Sequence, residues 1–111
     1  MTVHGWVEGD NGKISFPKLP GTFICWNVEI EEWCDRHLIQ VEYVDPLWTY
    51  AFLTKRQVLD FIFDAYGAEI KGRGRDDPAD PAWPKEVSSL RLQLVKELAD
   101  GRLYKLSGFD Y

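Results

Sequence analysis

The chain has 111 residues, 45% hydrophobic and 28% charged, with five Trp, five Tyr and six Phe, which suits one globular domain with its own core and leaves no room for two enzyme domains. The formal net charge of -5 lies wholly in residues 1–54, where three Lys/Arg face eight Asp/Glu, whereas residues 55–111 hold ten of each. That field disfavours nonspecific binding to a phosphate backbone and suits either a basic partner or simple protection from aggregation.

Val3 to Glu8 reads as a strand, Gly9-Asp10-Asn11-Gly12 as a turn and Lys13 to Phe16 as the returning strand of a hairpin. After Pro17, Pro20 and Gly21, the residues Ile24, Trp26, Val28 and Ile30 alternate with Cys25, Asn27, Glu29 and Glu31. This period of two predicts a strand over Thr22–Ile30, with a helical turn at Glu31–Arg36. A helix rivals the end of that segment, with Asn27 as its cap, acids toward its start, and Arg36 and His37 toward its end. The next strand is expected over Leu38–Val44, Asp45-Pro46 as a break, and Leu47–Leu53 as a nearly all-apolar central strand with Trp48, Tyr50 and Phe52 on one side.

Thr54 at an N-cap, Gln57 three positions on, and the apolar pair Leu53 and Val58 predict a helix beginning at Lys55. Val58, Phe61, Ile62 and Ala65 form its apolar stripe, and Gly67 is placed to end it in a left-handed cap. Residues 68–84 read as an exposed loop in which Lys71, Arg73 and Arg75 adjoin Asp76, Asp77 and Asp80. Val87, Leu90, Leu94 and Leu98 predict a second helix over Lys85–Ala99, stopped by Asp100-Gly101. Arg102–Leu106 reads as a last strand or an irregular return, with Gly108–Tyr111 as a tail. The order predicts one α+β domain over residues 1–111, a mainly antiparallel sheet of four to six strands packed against two C-terminal helices. The alternative is a small β-barrel capped by a helix.

Cys25 and Cys34 are the only cysteines and form no Cys-x-x-Cys pair, so they read as small buried thiols. Cys25, Cys34, His37 and the remote His4 are the only zinc set the sequence can assemble. With no basic-then-apolar leader and no run of about 18 apolar residues, a cytoplasmic protein that spans no membrane is expected. His4 and His37 stand in no motif, and Ser15, Ser88, Ser89 and Ser107 lack a nucleophile's setting. No catalytic, cofactor or metal residue is assigned, and no enzyme activity is expected.

The candidate contact surface comprises Glu29, Glu31, Glu32, Trp33, Asp35, Glu42, Tyr43, Asp45 and Trp48, brought together if Thr22–Ile30 and Leu38–Val44 pair as a hairpin. Charge speeds and selects association while desolvated aromatics supply affinity. This points to a small acidic protein-binding module with a basic protein partner. Its most specific form is an immunity protein that neutralises a toxin by occluding the basic active-site cleft. The alternatives are a subunit of a larger or phage assembly, a nucleic-acid-mimic inhibitor, and a small enzyme with an unrecognised site. Self-association fits the assembly reading; direct nucleic-acid or membrane binding is not expected.

Overall fold

The computed structural model describes residues 3–19, 24–69 and 83–110. Strands β1 (Val3–Gly9) and β2 (Gly12–Ser15) form the expected hairpin, with Gly9 opposite Gly12. Gly12 adopts φ 123°, a conformation that costs glycine little. At the hairpin tip, the Asp10 carboxylate accepts hydrogen bonds from Arg102 at 2.7 Å and from the Tyr104 hydroxyl at 3.1 Å, tying the turn to the end of the chain.

Of the segment expected as the strand Thr22–Ile30, residues 22 and 23 lie outside the described residues and residues 26–30 instead open helix α1 (Trp26–Arg36). Its buried residues Trp26, Ile30, Trp33 and Cys34 recur at three- and four-residue intervals, whereas Val28, which the alternation assigned to the core, is 43% exposed. Cys25, not Asn27, occupies the N-cap; Asn27 is buried and accepts a hydrogen bond from the Cys25 thiol at 3.0 Å. At the other end the Ile39 amide donates to the Cys34 carbonyl at 2.8 Å while Leu38 adopts φ 57°. This is a Schellman-type cap with leucine at the position glycine usually fills.

Strand β3 (Glu42–Asp45) is shorter than the predicted Leu38–Val44, because the cap of α1 consumes residues 37–39. Its register with β4 (Trp48–Thr54) shifts between Tyr43 and Asp45. Helix α2 (Lys55–Glu69) begins with the expected capping box: the Gln57 side chain accepts from the Thr54 amide at 2.9 Å, and the Thr54 hydroxyl accepts from the Gln57 amide at 3.3 Å. Gly67 does not end this helix, which continues through the turn anchored by buried Tyr66, whose hydroxyl donates to the Pro17 carbonyl. The basic loop Lys71–Arg75 and the acidic run after it lie outside the described residues.

Helix α3 (Lys85–Glu97) ends two residues before the expected Ala99, whose amide donates to the Tyr104 hydroxyl. Strand β5 (Leu103–Asp110) then takes in most of the predicted tail. It is the central strand of an open antiparallel sheet ordered β2-β1-β5-β4-β3, not the barrel of the alternative: among the described residues β2 and β3 are its edges and do not pair with each other. The architecture is α+β with three helices among the described residues, one of them arising from the segment expected as a strand.

Helices α1 and α2 pack across one face of the sheet, and α3 packs on α2. Gly5 and Gly108 face each other across β1 and β5, and the start of α1 rests on this pair. A Cβ at Gly108 would lie 2.5 Å from the Asn27 amide nitrogen and 2.6 Å from the Trp26 carbonyl oxygen, so only glycine permits this approach. Trp26 packs against Phe16, Phe61 and Tyr66, joining hairpin, sheet and α2 into one core.

Candidate protein interface

The helical spacing of α1 turns Glu31, Glu32 and Asp35 to the surface. The chain then passes through half-buried Ile39 and Val41 and presents Tyr43 from β3. These six residues line a groove of about 310 Å³, apolar on its floor and acidic on its α1 wall. Tyr43 faces the Glu31 carboxylate, and that interaction, with desolvation and the nearby Asp35 charge, raises the phenol above its ordinary pKa.

Glu42 and Asp45 stand on the exposed edge strand beside the groove. Glu42 accepts a hydrogen bond from Gln40 at 3.0 Å, and Asp45 accepts the Leu47 amide at 2.8 Å, closing the Asp45-Pro46 turn. None of Glu31, Glu32, Asp35, Glu42 and Asp45 is ion-paired to a described Lys or Arg; the ion pairs Arg56–Asp60 and Arg102–Asp10 lie elsewhere. The acidic wall is therefore available to an external cation.

Of the predicted contact residues, Glu31, Glu32, Asp35 and Tyr43 meet in the groove, and Glu42 and Asp45 border it. Glu29 sits half-buried in the first turn of α1, where a carboxylate suits the helix's positive end. Trp33 is not a surface anchor: it is 2% exposed, donates its indole N–H to Asp64 at 2.8 Å, and stacks on His37 with centroids 3.9 Å apart. A helix, unlike the expected hairpin, turns Trp33 toward α2.

The residue types alone did not mark Leu38, Ile39 and Val41 for this surface. Leu38 is 95% exposed, lies between the groove residues Asp35 and Ile39 in the chain, and holds a left-handed backbone conformation unfavourable to leucine. A side chain that buries nothing and strains its backbone has no role in the core. Exposed apolar groups held in strained conformations are concentrated at functional sites.

Trp48 lies on the other face of the sheet, away from α1. Cross-strand register places Phe109 beside Trp48, Trp6 and Tyr50 on either side of Ser107, and Phe52 beside Lys105. Trp6 and Trp48 have centroids 5.9 Å apart, Trp48 and Phe109 5.3 Å, and Tyr50 and Phe52 5.9 Å. Lys13 and Lys105 lie 4.3 and 4.4 Å over the Trp6 and Tyr50 rings. Among the described residues no helix packs on these rings, and the buried Trp48 Nε1 and Ser107 Oγ have no hydrogen-bond partner.

His37 Nδ1 lies 2.9 Å from the Trp33 carbonyl oxygen, so that nitrogen is committed as a donor. Both cysteines are free thiols, and burial pushes Cys34 up to about 11. Among the described residues no group of three or more His, Cys, Asp or Glu could hold a metal ion, and no helix is long and apolar enough to cross a membrane. Comparisons with protein-family models, with curated proteins and with solved structures return no match.

Proposed function

We propose that this chain is a protein-binding module that takes a basic protein partner against the α1–β3 groove. In its most specific form it is an immunity protein that occludes the basic active-site cleft of a toxin. The observation that carries the reading is the groove itself, where Glu31, Glu32 and Asp35 rise over Ile39, Val41 and Tyr43 with no described cation on them. Carboxylates at such a rim raise the association rate and select positive partners, while Tyr43 and the protruding Leu38 offer apolar area for contact. Occlusion needs no chemical turnover and no bound cofactor.

The test is affinity capture from cells that encode the chain, followed by titration of the captured protein against the native chain and the double variant Glu31→Gln/Asp35→Asn. The reading predicts a basic partner whose activity falls in proportion to bound chain and whose Kd rises roughly tenfold with the variant. A partner held equally by both forms refutes it.

The aromatic sheet face, on which no described helix packs, favours a second reading, a subunit of a larger assembly. Trp6, Trp48, Tyr50, Phe52 and Phe109 form a contiguous apolar patch of the kind that marks interfaces. Sedimentation across a concentration series discriminates the self-assembling form: dimers or higher species that Trp6→Ser/Tyr50→Ser dissolves support it, and a monomer at every concentration counts against it.

A further inference from the structure

We propose that the aromatic sheet face is covered by a second copy of this chain, in a face-to-face dimer whose two-fold axis runs along the row Trp6–Ser107–Tyr50; this rests on the assembly reading above and gives it a partner and a register. Cross-strand pairing lays three rows across β1, β5 and β4 on this face: Glu8, Lys105 and Phe52; Trp6, Ser107 and Tyr50; His4, Phe109 and Trp48. A two-fold axis along the middle row sets the first row over the third. Glu8 then meets the second copy's His4, a carboxylate beside an imidazole. Lys105 meets the second copy's Phe109, a cation over a ring, and Phe52 meets the second copy's Trp48 as an aromatic pair. An axis along β5 instead sets Lys105 on its own copy and Glu8 on the second copy's Phe52. Within these three strands only the first arrangement opposes no like charges; Glu42, at the β3 end of the middle row, meets its copy at the solvated rim, where charge is screened.

Ser107, on the axis at the centre of the face, is the one small side chain among these nine. A residue on a two-fold axis meets itself, so a small one there lets the two sheets approach. It is 0% exposed and its hydroxyl has no hydrogen-bond partner, so the middle of this face is already closed to water, as the core of an interface is. Charge favours the same face. The groove carboxylates Glu31, Glu32 and Asp35 stand on α1, on the helix side, whereas here Lys13 and Lys105 offset Glu8 and Glu42, so two acidic chains approach with little repulsion. Five strands about 4.8 Å apart, each contributing about five residues at about 3.4 Å, give a flat footprint of about 400 Å², to which the relief of the rings adds, against the roughly 600 Å² per partner at which stable interfaces begin.

Sedimentation of the full chain across a concentration series should show the mass doubling from 12.9 kDa and no larger species, because a two-fold contact closes on itself. The register is read with a short bismaleimide in a Cys25→Ser background, Cys34 being buried. Glu8→Cys and His4→Cys, both at exposed positions, should cross-link when the two variants are mixed and lose that product when either is alone. Unchanged circular dichroism confirms that the variants fold. A monomer at every concentration overturns this inference and the self-assembling form of the reading together. A dimer in which Lys105→Cys cross-links to itself, or in which the mixed Glu8→Cys and His4→Cys chains give no product, has another register; it overturns the inference and leaves self-assembly standing. Species larger than the dimer do likewise.

Discussion

Replacing Leu38 with glycine is expected to stabilise the protein, an unusual sign for removal of a leucine. The side chain is 95% exposed, so its loss forfeits essentially no packing. Its backbone sits at φ 57°, where a Cβ costs about 1–2 kcal/mol. Glycine removes that strain but gives the unfolded chain more freedom, an opposing term of roughly 0.5–1 kcal/mol. The net gain is about 0.5–1 kcal/mol, and the specific unfolding entropy of a chain this size turns it into a rise of roughly 2–4 °C in Tm. Leu38→Ala retains the Cβ and the strain, so it should melt near wild type. Thermal and urea unfolding of the three proteins decide the matter. A Tm that falls with glycine, or rises equally with alanine, would refute the argument that backbone strain at the α1 cap sets the sign. The same glycine variant should bind the partner more weakly, separating the exposed side chain's role from stability.

The glycine floor beneath α1 gives a prediction of the opposite sign. Gly108→Ala should cost about 2–3 kcal/mol, the upper part of the overpacking range, because the added methyl meets the helix backbone at Trp26 and Asn27 and not a movable side chain; urea unfolding reads it directly. Thr54→Ala removes one half of the capping box and should cost about 1 kcal/mol, visible as a lower urea midpoint with an unchanged slope. Burial raises Cys34 from 9.0 to about 11, so the folded chain keeps its proton where the unfolded chain releases it. The contribution of this thiol to stability is therefore fully present below pH 9.0 and is lost as pH rises toward about 11. Urea midpoints across that window should fall less steeply in Cys34→Ala, and an identical slope would contradict the assignment.

Where the determinants are local, the sequence is a sound guide. The β1–β2 turn and the Thr54–Gln57 box each lie within a few residues, and both form as their chemistry requires. Helix α1 is misleading because Ile24, Trp26, Val28 and Ile30 satisfy period two by accident. The helical set Trp26, Ile30, Trp33 and Cys34 becomes apparent only when the window extends past Ile30. The platform for α1 is nonlocal, a glycine from β1 facing a glycine from β5 near opposite ends of the chain. Gly108 also conceals the last strand: the inward row Tyr104, Leu106, Gly108 has no side chain at its third position, so the segment resembles a tail.

The contact surface was legible as composition but not as geometry. Its carboxylates and Tyr43 stand out in the sequence, yet a hairpin would have placed Trp33 among them, whereas the helix buries it against Asp64 and Phe61. The helix also aligns Glu31 with Asp35 and sets Glu29 apart. Ile39 and Val41 looked like strand residues; with the strand starting only at Glu42, they form the groove floor.

On the proposed reading the partner covers the α1–β3 groove. Amide hydrogen exchange of the full chain, alone and with its captured partner, tests it most directly. Exchange should slow across Glu31–Asp45, with the sheet face around Trp6, Tyr50 and Phe109 unchanged. Protection confined to that aromatic face, with Glu31–Asp45 exchanging as in the free chain, would contradict it.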